Sequence, residues 1–333
     1  MVFAHGDGGN AGSHVLAAPS MLPRCNSALT NVGVGESCSM PWTVAQKVLR
    51  PGQDAIGYAW VALMGANDFT SMRDVQALMD KSPIPVAKAP HGSIFIVDHH
   101  HTLAALDASG FSSVNITIYV ACDDASASSL DASLAYLWGH GLVNGLSRSI
   151  ANVNLPPAPD RNATSSLPTS LRFRPAMKDA TLKDDPWRSL VSFVFNARAV
   201  GGSSMRAFRH ACDAHGREIP FVEFRWAFFF NDAFIRPGLW HSQEAAAHFR
   251  SRFRRLANVT AARFGSLADL RGKLSSWEEA ARCLVPLARS ESAARYTLPA
   301  SMGSMAGPLP GIIRDEALAT GPDPMCTQSS CRA

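Results

Sequence analysis

Although 47% of its 333 residues are hydrophobic, the sequence has no uninterrupted apolar run near the roughly 20 residues a membrane span requires. A helical membrane anchor is therefore not expected, and the apolar residues are available to build a buried core. Net charge is also small, +4 from 31 basic and 27 acidic side chains. This excludes a blanket electrostatic attraction to nucleic acid or to a membrane surface. Lysine is scarce, and coding bias accounts for the arginine excess more simply than a set of phosphate-binding forks does. No C-x-x-C pair occurs among Cys25, Cys38, Cys122, Cys212, Cys283, Cys326 and Cys331. Neither a disulfide framework nor a zinc knuckle is expected from so scattered a set, and haem is not expected either. The P-loop, the G-x-G-x-x-G fingerprint, the G-x-S-x-G elbow and the kinase signatures are missing too. Residues 1–10 lack the basic flank and apolar stretch of a secretory leader. A cytoplasmic protein is the expectation, and the N-x-Thr triplets at Asn115, Asn162 and Asn258 then read as chance matches.

What is present divides the chain. Residues 1–40, rich in Gly, Ser, Ala and Asn, and residues 295–333 are expected to be disordered tails. Between them, 41–150 reads as a mixed α/β core, 151–176 as a proline-rich loop and 177–294 as a helical lobe packed on the core. Within the core the pattern predicts a short helix from Trp42, a strand over Ala55–Met64, a helix over Ser71–Met79 and a strand from Ile84. Ser93–Val97 follows as a buried strand, Thr102–Ala108 as a helix ended by Gly110, and Val114–Val120 as a further strand. In the lobe, helices are predicted over 187–198, 205–215, 221–234, 242–258, 267–274 and 276–287.

The strongest candidate for chemistry is Asp98-His99-His100-His101. Polar residues directly after a buried strand and at a helix entry sit beside unpaired backbone N–H groups and the positive end of the helix dipole, which stabilise an anion such as phosphate. Asp98 can accept a proton or hold a Mg²⁺ or Mn²⁺ ion, and imidazoles donate hydrogen bonds or shuttle protons. The plainer reading, an N-cap at Asp98 or Thr102 followed by exposed histidines, stands beside it. Zinc is disfavoured because adjacent histidines in extended backbone face opposite ways and no H-x-x-x-H pair occurs. In the lobe, Asp184-Asp185-Pro186-Trp187-Arg188-Ser189 carries a helix start, with Asp185 as the cap. Glu223 and Arg225 lie among large apolar residues, either as a buried ion pair or as the lining of a site. The arginines of 250–255 read as a solvated face over an apolar stripe.

Taken in order, Leu49-Arg50-Pro51-Gly52-Gln53 with Gly57, then Ile84-Pro85-Val86, Val97 to His101, Asp184 to Leu190, and Pro220 to Trp226 resemble the ParB-like nuclease family of the ParB/sulfiredoxin superfamily. The motif lacks the cysteine of sulfiredoxin, and Thr102 stands where relatives place an arginine. Sulfinic-acid reduction is therefore not carried over. The resemblance implies an α+β fold, a small mixed core with an appended helical lobe, and a phosphate site at the strand-to-helix motif. It implies phosphodiester or nucleotide phosphate cleavage, with Asp98, His99, His100 and His101 catalytic and Gln53, Thr102, Asp184, Arg188, Ser189, Glu223 and Arg225 around the substrate. A small-molecule kinase on the same site and a nucleotide- or DNA-binding module without turnover are the alternatives. The expected partner is a nucleotide or small phosphorylated compound, with any nucleic-acid binding weak and salt-sensitive.

Overall fold

Ile94 and Ile96 point to one side of their strand and Phe95 to the other, and both sides are buried. That alternation makes the strand central, with a hydrophobic layer on each face. In the computed structural model, which describes residues 22–140, 142–143, 182–195, 222–263, 271–298 and 307–309, it belongs to a five-stranded mixed sheet. The elements in chain order are β1 (Ser37–Pro41), α1 (Trp42–Val48), β2 (Leu49–Pro51), β3 (Ala55–Ile56), α2 (Tyr58–Asn67), α3 (Met72–Lys81), β4 (Ile84–Ala89), β5 (Ser93–Ile96), α4 (His100–Ser109), β6 (Asn115–Asp123) and α5 (Leu130–Gly139). The sheet order is β1-β6-β4-β5-β2. β1 runs antiparallel to β6, β4 parallel to β6, β5 antiparallel to β4, and β2 parallel to β5.

Further along come β7 (Lys183–Asp184), α6 (Pro186–Phe195), α7 (Val222–Ile235), α8 (Gln243–Arg263), α9 (Leu274–Ala288), α10 (Glu291–Arg295), β8 (Thr297–Leu298) and β9 (Gly307–Pro308). One continuous core joins Ile94, Ile96 and Ile118 of the sheet to Leu103 of α4, Trp187 and Phe193 of α6, Trp226 of α7, Phe253 of α8 and Trp277 of α9. α5 covers the other face over Ala87, Phe95 and Cys122. The fold is thus α+β, a mixed sheet with a helical part, as the sequence pattern implies.

Several expectations are corrected. Ala55–Met64 is not one strand but the two-residue β3 followed by α2. An apolar run buried all round carries no period to distinguish strand from helix. The N-terminal tail expected over 1–40 has structure from residue 22, with Leu29 and Val32 in the core and β1 in the sheet. Cys25 and Cys38 form a disulfide, which their scattered spacing did not suggest. The expected C-terminal tail contains the β8–β9 pair with Leu298 and Leu309 buried. The arginine-rich helix α8 uses Arg250 to donate to the carbonyls of Phe234 and Ile235, which completes the end of α7. The loop over 151–176 and the helix over 205–215 lie outside the described residues, as do 267–270 of the helix expected over 267–274.

Candidate active site

β5 delivers the chain into the motif, and a left-handed residue turns it into α4. Asp98 is exposed, and its carboxylate accepts the His99 N–H at 2.6 Å. His99 has φ 68° and no side chain caps the helix. The first helical bond runs from Leu103 N–H to the His99 carbonyl at 3.0 Å. Neither expected cap is therefore correct. Asp98 lies one residue too early and bonds the amide of the capping residue itself, and Thr102 is buried inside the first turn. The positive φ also sends the histidines in different directions.

His100 is buried, and its Nε2 accepts the Gly52 N–H at 3.0 Å. Burial pushes the imidazole down from 6.5 to about 3, with nearby Arg188 and His99 adding to the effect and Asp98 opposing it. It is a neutral acceptor, with its proton on Nδ1. His101 Nε2 accepts the Gly57 N–H, also at 3.0 Å. Both rings are thus engaged with backbone of the loop between β2 and α2. That loop lies close against its neighbours: a Cβ on Gly52 would stand 2.1 Å from the Ile96 carbonyl oxygen, and one on Gly57 would stand 2.3 Å from Ser189 N.

Gly57 is the backbone cap of α2 and has no side chain to satisfy the first turn. Distant residues do so instead. His101 accepts from Gly57, Asp184 Oδ1 from Tyr58 N–H at 3.0 Å, and Ser189 Oγ from Ala59 N–H at 3.1 Å and Trp60 N–H at 3.4 Å. β3 pairs with β7 in parallel, which brings the Asp184 segment alongside. Asp184 and Ser189 thus hold the start of α2 in place.

Asp185 caps α6 as expected, its Oδ1 accepting Trp187 N–H at 2.9 Å and Arg188 N–H at 3.3 Å. Burial raises its carboxyl from 3.8 to about 6, with Asp54 adding to the rise and Arg188 opposing it. Arg188 is buried, donating to Gln53 Oε1 at 3.3 Å and pairing with Glu223 at 2.9 Å. Its guanidinium lies 3.7 Å from the centre of the Phe224 ring. The ion pair is thus Arg188–Glu223 rather than Glu223–Arg225. Residues two apart on α7 point to different sides, so Arg225 faces elsewhere and is buried. Burial lowers its guanidinium to about 10, which leaves it charged at neutral pH. Asp54, buried near Asp185, and Phe224, stacked under the Arg188 guanidinium, carried no sequence signal. Nothing in a Gln-Asp pair or a Phe-rich helix marks which member turns inward.

Among the described residues no group of three His, Cys, Asp or Glu side chains is placed to hold a metal ion. No helix among the described residues is long and apolar enough to cross a membrane.

The family model described as "Putative ParB-like nuclease" matches residues 42–232, more than half of the chain. The chain belongs to this family. The matched segment runs from the start of α1 to α7 and holds the motif, the Gly52–Gly57 loop, α6 and the Arg188–Glu223 pair in one ParB-like nuclease domain. The crystal structure of protein Atu1540 from Agrobacterium tumefaciens is similar at 20% identity and a TM-score of 0.42, covering 67% of this chain and 90% of that one. No curated protein matches the chain.

Proposed function

We propose that this ParB-like nuclease domain cleaves phosphodiesters or nucleotide phosphates at Asp98 and His99, with His100 and His101 as positioning residues. The observation that carries this reading is the division within the motif. His100 and His101 accept backbone N–H groups of the adjacent loop, while Asp98 is exposed and His99 is only half-buried at the entry to α4. A phosphate at that entry is favoured by the first-turn amides and the helix dipole. Asp98 takes a proton from the attacking water as its oxygen bonds to phosphorus, and His99 gives a proton to the oxygen that leaves as the ester bond breaks. Gln53, Arg188 and Glu223 form a polar wall behind the loop and fix its shape. No step requires a metal held by the protein.

The test is a panel of oligonucleotides, dinucleotides and nucleoside triphosphates, with and without Mg²⁺ or Mn²⁺, scored for both binding and product release. Release without a hydroxyl acceptor is expected. Release that requires such an acceptor identifies a kinase, and binding without release identifies a non-catalytic module. Asp98→Asn keeps an oxygen to accept the His99 N–H, so it is expected to fold with a melting temperature within a few degrees of the parent. Its turnover is expected to fall by about a hundredfold or more. Undiminished turnover in that variant removes Asp98 from the chemistry.

Duplex DNA is expected to bind weakly, and its binding to fall steeply between about 50 and 200 mM salt. The net charge of only +4 leaves little excess positive charge to neutralise phosphates. A salt titration by fluorescence anisotropy measures this, and tight salt-insensitive binding contradicts a preference for small ligands.

A further inference from the structure

The segment ahead of the family-matched residues is built into the sheet by devices unrelated to the motif. Gly35 N–H donates to the Val120 carbonyl at 2.9 Å, and Val120 N–H to the Glu36 carbonyl at 3.0 Å. β1 continues this pairing along β6 from Ser37 opposite Tyr119 to Pro41 opposite Asn115. On the outer side of β1, Cys25 N–H donates to the Ser39 carbonyl and Ser39 N–H to the Pro23 carbonyl, each at 2.9 Å. Leu29 and Val32 enter the core between these two attachments. Lys88, buried in β4, donates to the Val32 carbonyl at 2.7 Å and pairs with Asp123 at 2.8 Å. The Cys25–Cys38 disulfide joins the start of this segment to β1, with Cys38 fully buried.

Without these residues, β6 would be a nine-residue edge strand rich in β-branched side chains, offering its backbone groups to any other chain. With them, the edge is a short strand ending at Pro41 and overlaid by Pro23, two residues that cannot donate to a further strand. The other cysteines carry an independent observation. Cys122, at the far end of β6, is also disulfide-bonded, and among the described residues Cys283 is the free thiol. Two separate disulfides, one joining the segment to β1 and one at Cys122 on β6, do not persist in a reducing cytoplasm.

We propose that residues 22–41 are a disulfide-fastened strap that closes the β6 edge, and that the protein acts in an oxidising compartment rather than the cytoplasm. The bond forms by exchange with a small-molecule or protein disulfide. One cysteine thiolate attacks a sulfur of the oxidant and releases one thiol. The second cysteine, on losing its proton, displaces the other thiol, so two electrons pass from the cysteine pair to the oxidant.

Acid-quenched cells that make the full chain, alkylated first with N-ethylmaleimide and after reduction with iodoacetamide, give the redox state by peptide mass spectrometry. Cys25 and Cys38 are expected to carry the second label. The first label on both overturns the compartment assignment. The strap is tested by hydrogen exchange on the purified chain and on the Cys25→Ser, Cys38→Ser double variant, which leaves Cys122 untouched. Protection of the Val120, Gly35 and Cys25 amides is expected to fall by about tenfold or more, and the melting temperature by roughly 5–10 °C. Unchanged exchange at these amides overturns the strap. If the double variant does not fold, cleavage after Arg24 by trypsin in the parent chain, with and without dithiothreitol, is the second measurement. Faster cleavage after reduction supports the strap, and equal rates overturn it.

Discussion

Gly57→Ala is expected to lower the unfolding free energy by about 3 kcal/mol or more, among the largest single losses available in the described chain. The added Cβ would lie 2.3 Å from Ser189 N and 2.6 Å from both its Cα and its Oγ. Two of these atoms are backbone at the first turns of α6, where the Asp185 cap and the buried Trp187 side chain hold the chain. Relief therefore requires α2 and α6 to move apart. That movement separates Ser189 Oγ from the Ala59 and Trp60 amides and lengthens the Tyr58 bond to Asp184, each such contact being worth about 1 kcal/mol. Urea unfolding of parent and variant measures the loss, which corresponds to a melting temperature lower by roughly 6–12 °C. Gly139→Ala is the control, because a Cβ there meets nothing within 4 Å. Equal stability of the two variants would show that the loop does not press on α6.

His100→Gln is expected to change how stability depends on pH. In the folded chain His100 stays neutral down to about pH 3, whereas the unfolded chain takes up its proton near 6.5. Its contribution is complete above pH 6.5 and is lost as pH falls toward 3. Asp185 acts in the opposite direction. Its folded carboxyl binds a proton near pH 6 and the unfolded one near 3.8, so its contribution to stability grows as pH falls between those values. Over pH 4 to 6 the two nearly offset each other in the parent. Glutamine can accept the Gly52 N–H through Oε1 without titrating, which leaves Asp185 alone. Relative to the parent, the variant is expected to gain on the order of 2–3 kcal/mol between pH 7 and pH 4.5. Guanidinium unfolding at the two pH values reads the difference directly. Parallel pH profiles for parent and variant would mean that His100 is not held neutral.

Much of the core could be read in advance because its local signals agree with its tertiary environment. β5 has β-branched and aromatic residues buried on both faces, Gly110 takes the left-handed conformation that ends α4, and Ser71 caps α3 through the Asp74 amide. The reading failed where the deciding contact is remote. The pattern of α2 does not announce a helix, because the groups that satisfy its first amides, His101, Asp184 and Ser189, are 44 to 130 positions away. Asp98 and Thr102 both look like caps, and only the backbone at His99 decides that neither is.

The sequence by itself determined the fold class, the position of the motif at a strand-to-helix junction and the family, since these follow from periodicity, turn residues and ordered motifs along the chain. Tertiary structure alone decided the roles inside the site. Whether a histidine faces solvent or accepts a loop amide, and whether Glu223 pairs with Arg188 or Arg225, depends on which segments the sheet order and the β3–β7 pairing bring together. The same holds for Cys25 and Cys38, whose spacing is uninformative until β1 and the strap lie side by side. Hydrophobic patterns are written into neighbouring residues, whereas hydrogen-bond partners and disulfides are satisfied by whatever the folded chain places within about 3 Å.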